Sequence, residues 1–236
     1  MNTEGKETGI VIDDARLDST WAGLSKKVAG IEMLLHWKEA AMLNILASEV
    51  GATGHIVEIG GWMGGSTCII GNACKDRGIP LVTVDHWADR VVNQIYPWNS
   101  DIFDTWYGNL KKGGVDGIVI PIRGESFEVV KVWWYPIAML FIDGGHFDGI
   151  PQKDLAAWTP FVSPGGIVAI HDDFKPDVAE ICKTLEDQPE TWTVIGKIET
   201  MRVYQRVGED DNIVRIPNPY AQGRLFDSFP TEGGRW

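Results

Sequence analysis

A chain of 236 residues with 44% hydrophobic content is long enough for one large domain with a substantial core. Its formal net charge of −12, with cations only in scattered pairs such as Lys26-Lys27 and Lys111-Lys112, excludes a duplex nucleic-acid binder, which needs clustered Lys and Arg for the phosphates. No apolar run approaches membrane-spanning length, "MNTEGKETGIVIDD" has no signal-peptide pattern, and Cys68, Cys74 and Cys182 form no metal-type cluster, so a reduced, cytoplasmic setting is expected.

Residues 1–30 read as an N-terminal extension. "IEMLLHWKEAAMLNILASEV" (31–50) repeats apolar residues at helical spacing and is stopped by "GATG". "HIVEIG" (55–60) predicts a strand, followed by a helix from Ser66 to Asp76 and a second strand in "IPLVTVDHW" (79–87). "QIYPWNSDIFDTWY" (94–107) concentrates aromatics outside any regular period and is expected to be a binding loop or lid. "GIVIPIRGES" (117–126) is a third strand and "FEVVKVWW" a short helix. "IAMLFID" (137–143), continuously apolar, is a fourth strand covered on both faces. "PQKDLAAWTPFV" (151–162) predicts a helix with Pro in its first turn, "GGIVAIHDD" (165–173) a fifth strand, "DVAEICKTLEDQ" a further helix, and "TWTVIGKIETMRVYQRV" (191–207) two strands joined by a short turn. The tail from 208 to 236 is rich in Pro, Gly and charge and lies outside the domain.

This alternation predicts an α/β fold, a doubly wound seven-stranded, mostly parallel sheet with a C-terminal antiparallel strand pair. Ligands in such sheets bind beyond the carboxyl ends of the strands. Glu58, Asp85, Glu125, Asp143 and the His171-Asp172-Asp173 run stand at those ends. His36 and Trp37 read as core or interface, and His55, at the amino end of its strand, as structural.

The turn "HIVEIGGWMGGST" (55–67) narrows the ligand. A dinucleotide fingerprint needs a second glycine where Trp62 or Met63 stands, and a phosphate loop needs a Gly-Lys-Ser/Thr ending that is absent. What remains is an acid two residues before the first glycine, in Glu58, Gly60, Gly64 and Ser66-Thr67, with a second strand ending in Asp85. In this the chain resembles the class I S-adenosylmethionine (SAM)-dependent methyltransferases. "FIDGGHFDGIPQKDLAAWTPFVSPGGIVAIHDD" (141–173) is similar to the branch containing antibiotic sugar O-methyltransferases, in which I-D-G-x-H, D-L, W and P-G-G-x-x-x-x-H-D recur in this order. The resemblance covers about residues 31–207.

The resemblance implies SAM as cofactor. Glu58, Gly60, Gly64 and Ser66 would shape its methionine side, Asp85 would hold the ribose diol, Glu125 and Ser126 would lie near the adenine, and His86 or Trp87 would flank it. His146, three residues after Asp143, matches the histidine that serves as base, a role its ordinary pKa suits at neutral pH. Asp143, Asp172 and Asp173 would supply a Mg²⁺ site. Aligned on "PGG", however, the first paired carboxylate of the family falls on His171 and the second on Asp172, so Asp173 substitutes, or the site holds metal weakly or not at all. The implied acceptor is a small polyhydroxylated molecule; separately, the apolar first helix and the tail lead us to expect a homo-oligomer. A metal-free O- or N-methyltransferase and a non-catalytic protein of the same fold stand as alternatives.

Overall fold

The computed structural model describes residues 12–87 and 102–208. In chain order the elements are α1 (Asp14–Lys27), α2 (Trp37–Glu49), β1 (His55–Ile59), α3 (Gly65–Arg77), β2 (Leu81–Asp85), α4 (Ile102–Gly113), β3 (Val119–Arg123), α5 (Ser126–Val129), β4 (Ile137–Ile142), α6 (Ile150–Trp158), β5 (Val162–Ile170), α7 (Pro176–Glu186), β6 (Trp192–Ile198) and β7 (Met201–Arg206). The seven strands form one sheet in the order β3-β2-β1-β4-β5-β7-β6. β1 to β5 are parallel, and β7 runs antiparallel to both β5 and β6. The strand order reverses between β1 and β4, and a crevice opens at such a switch point beyond the carboxyl ends.

Two apolar layers enclose the sheet. One gathers Leu43, Leu46, Ile56, Ile69, Ile70 and Phe141 under α1 to α4. The other gathers Val57, Leu140, Trp158, Val168, Ile181 and Tyr204 under α6 and α7. All six residues of β4 are buried, which accounts for its unbroken hydrophobicity. β3 carries Pro121 and is half exposed, consistent with its place at the edge, where a missing N–H leaves no gap in the ladder. Among the described residues no helix is long and apolar enough to cross a membrane.

Boundaries shift where local hydrogen bonding overrides periodicity. The helix expected from residue 31 starts at Trp37, because His36 is its N-cap: its backbone is extended, its ring accepts from the Lys38 N–H, and its own N–H donates to Glu39 at 2.8 Å. That reciprocal arrangement is a capping box. The expected extension contains a helix, α1, packed against α2 through Leu17 and Leu24. Of the expected aromatic loop, residues 94–101 lie outside the described residues, and 102–107 form the first turns of α4 instead. Ile102, Trp106, Asn109 and Leu110 are its buried residues, so the helical period becomes visible only when the reading continues past 107. His55 packs edge-on against Trp133 and Tyr135 at the amino end of the sheet.

The carboxyl ends of β1 and β4 approach so closely that only glycine fits at 60. Its φ is +91°, and a Cβ there would stand 2.6 Å from the carbonyl carbon of Asp143 and 2.9 Å from the Gly144 nitrogen. Gly78 ends α3 with φ +67° and open space around it. Gly78→Ala should therefore cost only the left-handed backbone penalty, about 1 kcal/mol. Gly60→Ala adds a backbone clash and should cost at least about 3 kcal/mol. Urea unfolding of both variants checks the ordering, and equal losses would refute the close approach.

Candidate active site

The glycine turn after β1 is tied to the end of β2 by one carboxylate. Asp85 Oδ2 accepts from the N–H groups of Gly61 at 2.8 Å and Trp62 at 2.9 Å, and Oδ1 accepts from Trp87 N–H at 2.7 Å. Gly60 N–H donates to the Val84 carbonyl. Gly64, at φ +88°, opens α3 and lies where any Cβ would press on Leu110 and Trp106. The turn's glycines therefore bring the backbone close to the N-terminus of α3, with the partly exposed Trp62 between them.

Glu58 lies beneath this turn. It is 0% exposed, and both oxygens are taken: Ser66 Oγ donates at 2.6 Å, Thr67 Oγ1 at 2.6 Å and Thr83 Oγ1 at 2.8 Å. Trp106 Nε1 in turn donates to Thr67 Oγ1 at 3.1 Å. Glu58 and Ser66, expected to shape the methionine side of a cofactor site, are hydrogen-bonded to each other beneath the turn, with Thr67 and Thr83 on the remaining Glu58 oxygen. Burial pushes the Glu58 carboxyl up to about 7 despite these donors. Trp87 is likewise core, packed on Phe103 and Trp106, while His86 beside it is half-exposed.

Glu125 is exposed at the N-cap of α5, whereas Ser126 is buried and donates to Asp154 on α6. Burial raises the Asp154 carboxyl to about 6, although the Ser126 hydrogen bond opposes this. Asp154 and its link to Ser126 were not legible in the sequence, because α5 and α6 meet only in space.

The ends of β4 and β5 bring Asp143, His146, His171 and Asp172 together. His146 Nε2 is 3.5 Å from Asp143 Oδ1, and Nδ1 is 3.5 Å from Asp172 Oδ2. His146 Nε2 is buried without a hydrogen-bond partner. Asp172 has φ +62°, a left-handed conformation that aspartate tolerates better than most residues and that places its carboxylate beside His146. Trp62, Trp87 and Asp148 are also left-handed and also stand on this rim. Strained backbone of this kind gathers where side chains must be aimed.

Asp173 does not join the cluster. It is 5% exposed and faces β6 and β7, held by Lys197 Nζ at 2.6 Å and Arg202 Nε at 2.7 Å. The expected third metal ligand is therefore part of an internal ion pair, beyond the end of β5 and after the left-handed turn at Asp172. His171 is the neighbour of the two remaining carboxylates. Its Nδ1 is 3.0 Å from Asp143 Oδ1 and 3.7 Å from Asp172 Oδ1. Its Nε2 is 3.2 Å from Glu39 Oε2 and from Thr200 Oγ1. Burial pulls the His171 pKa down, but the charges and hydrogen bonds of Asp143 and Glu39 outweigh it and hold the ring at about 11. The same contacts keep Asp143 and Glu39 below their ordinary carboxylate values against the opposing effect of burial.

This donor set does not fit Mg²⁺. One ligand atom each from Asp143, His146 and Asp172 can be chosen within 4.8 Å of one another. Mg²⁺, however, demands near-octahedral oxygen coordination, and here two imidazoles crowd two carboxylates, one already hydrogen-bonded to His171. Two exposed aromatics, Phe147 and Phe174, flank the cluster on the loops after β4 and β5. Phe147, Phe174, Glu39 and Thr200 were missed in the sequence. Only Glu39 carried a signal, the H-x-x-E spacing of a capping box, and it spoke of a helix end.

Residues 57–172 match the family model Methyltransf_24, described as a methyltransferase domain. Among solved structures, the fold is similar to that of the O-methyltransferase NovP, with TM-score 0.67 and 15% identity over 82% of this chain and 98% of that one. It is similar to the O-methyltransferase TomG from Streptomyces achromogenes, involved in tomaymycin synthesis and solved with SAM, with TM-score 0.57 and 19% identity over 84% and 92%. It is also similar to CalS11, a TDP-rhamnose 3'-O-methyltransferase of calicheamicin biosynthesis, with TM-score 0.53 and 16% identity over 85% and 98%. At these identities the structural likeness speaks for the fold.

The buried Glu58 has a consequence for stability. Its carboxyl binds a proton more tightly folded, at about 7, than at its ordinary 4.5. The unfolded chain therefore releases this proton first, and the Glu58 contribution falls as pH rises from 4.5 to 7, by roughly 3 kcal/mol in all. Glu58→Gln should lose this slope, so the stability difference between wild type and variant should shrink across that window and level off above it. Parallel denaturation curves at every pH would rule out the buried ionisable group.

Proposed function

We propose that this chain, a class I SAM-dependent methyltransferase by its fold and its methyltransferase domain, moves a methyl group from SAM to a hydroxyl of a small polyhydroxylated acceptor such as a sugar or glycosylated metabolite. The observation that carries the reading is His146. It stands partly exposed at the carboxyl rim between Asp143 and Asp172, its buried Nε2 lacking a hydrogen-bond partner, across the sheet's switch point from the glycine turn after β1.

SAM would lie along that turn. Gly60 and Gly64 leave room for its methionine portion, while Glu58 and Ser66 support the turn from below. Asp85 Oδ1 accepts one of the carboxylate's three backbone bonds and has capacity left for a ribose hydroxyl. Glu125 and Ser126 stand at the adenine end. The SAM-bound structural neighbour TomG supports this choice of cofactor.

The acceptor hydroxyl would lie against His146. An alcohol is a poor nucleophile until its proton leaves, so His146 takes the proton as the oxygen attacks the sulfonium methyl. The O–CH₃ bond forms, the S–CH₃ bond breaks, and S-adenosylhomocysteine departs with the sulfur electron pair. Asp143 and Asp172 orient the ring and stabilise the imidazolium that forms. Phe147 and Phe174 are exposed aromatics of the kind on which a sugar packs.

Two experiments test the reading. Calorimetry with SAM should show a single site per chain, and mass spectrometry of the protein as isolated should find SAM or S-adenosylhomocysteine; a chain that binds neither is a scaffold. On a panel of nucleotide sugars and glycosides, His146→Ala should lower turnover by about 10²–10⁴-fold while SAM affinity stays unchanged. Full activity in that variant would remove His146 from the chemistry.

A further inference from the structure

Three carboxylates surround His171. Asp143 and Asp172 face its Nδ1 edge at 3.0 and 3.7 Å, and Glu39 faces Nε2 at 3.2 Å. Glu39 comes from α2, far away in sequence, and is 1% exposed; His171 is 5% exposed. Glu39 is fixed in turn, since Oε2 accepts from the His36 N–H at 2.8 Å and Oε1 accepts from both the N–H and the hydroxyl of Thr200 at 2.8 Å. The Thr200 hydroxyl gives its proton to Glu39 and so has none for His171. Each ring nitrogen of His171 thus has a carboxylate oxygen within hydrogen-bond distance, Asp143 at 3.0 Å and Glu39 at 3.2 Å, so the ring can donate from both. A histidine donating from both nitrogens carries a positive charge.

That charge occupies the place where the two rim carboxylates need one. Asp143 and Asp172 would repel each other strongly without a cation at hand. A divalent ion bridging them would have to settle beside an existing imidazolium, displace its hydrogen bond to Asp143 and leave Glu39 buried with reduced compensation.

We infer that His171, clamped from behind by Glu39, is the resident cation of this site, standing where a divalent ion would stand between Asp143 and Asp172, so that methyl transfer here needs no divalent metal. The inference rests on the methyl-transfer reading above and deepens it. His171 and Glu39 act as positioning residues: the first neutralises and orients Asp143, and the second keeps the first in place. His146 remains the group that meets the acceptor.

Mn²⁺, a probe with a paramagnetic signature, separates the possibilities without requiring a known acceptor. Wild-type protein treated with EDTA and dialysed should bind no Mn²⁺ at this site by electron paramagnetic resonance, and Mg²⁺ should leave its melting temperature unchanged. His171→Asp should bind Mn²⁺, gain thermal stability on adding Mg²⁺, and lose both properties when Asp143→Asn is added. Because His171→Asp crowds four carboxylates and can fail to fold, His171→Gln serves as the second variant. It removes the charge while keeping a similar volume, and it too should acquire Mn²⁺ binding. Where an acceptor turns over, EDTA should change the wild-type rate by less than about 2-fold, whereas a metal-assisted enzyme would lose far more. Wild-type Mn²⁺ binding abolished by Asp143→Asn, or folded His171 variants that still reject the ion, would overturn the inference. Failure to bind SAM would sink the methyltransferase reading instead, and the two results are read in separate assays.

Discussion

A parallel sheet sends the carboxyl end of each strand to the same rim, and in this chain those ends are acidic. Glu58, Asp85, Asp143, Asp172 and Asp173 stand at or just beyond the ends of neighbouring strands, buried or only partly exposed, so each carboxyl group must be met by donors, by a cation or by a proton. The structure answers each differently. Glu58 is surrounded by three hydroxyls, Asp85 by three backbone N–H groups, Asp173 by Lys197 and Arg202, and Asp143 by the ring of His171. The shape of the site follows from these pairings.

The pairings also join distant segments. Glu58 links β1 to β2 through Thr83 and to α3 through Ser66 and Thr67, and Trp106 extends that contact to α4. Asp85 locks the glycine turn to the end of β2. Glu39 ties the N-terminal cap of α2 to the β6–β7 turn through Thr200 and to the end of β5 through His171. The antiparallel strand pair, remote from the glycine turn, therefore has a direct bearing on the rim around His171 and Asp143. A left-handed Glu199 immediately before Thr200 sets that turn in place.

A division of labour among the carboxylates emerges. Those fully enclosed by hydroxyls or ion pairs hold the backbone in position, and those left partly open, Asp85, Asp143 and Asp172, border the space where a donor and an acceptor could meet. His146 is partly exposed, with its buried Nε2 lacking a hydrogen-bond partner, whereas His171 has both nitrogens within hydrogen-bond distance of carboxylates. Two histidines on adjacent strands thus differ in chemistry because of what surrounds them.

The sequence by itself determined the order and type of the strands and of most helices, but not α1 or α4, whose residues read as an extension and a loop. Apolar periodicity and the glycine stops mark strands and helices through local preferences, and the matching of "EIGGWMGGST" and "IDGGH" to strand ends places a binding rim without any knowledge of packing. It also marked Asp143, His146 and Asp172 as companions, because adjacent parallel strands bring equivalent positions together. Only the tertiary structure decided which acids face the open side. Glu58 and Asp173 look like rim ligands in one dimension, yet hydroxyls from α3 and β2 enclose the first and cations from β6 and β7 capture the second. The partner of His171 was equally hidden, since Glu39 lies 132 residues away and reads locally as a helix cap. Hydrogen bonds between distant segments have no period and no spacing, so their charge balance becomes visible only when the chain is folded.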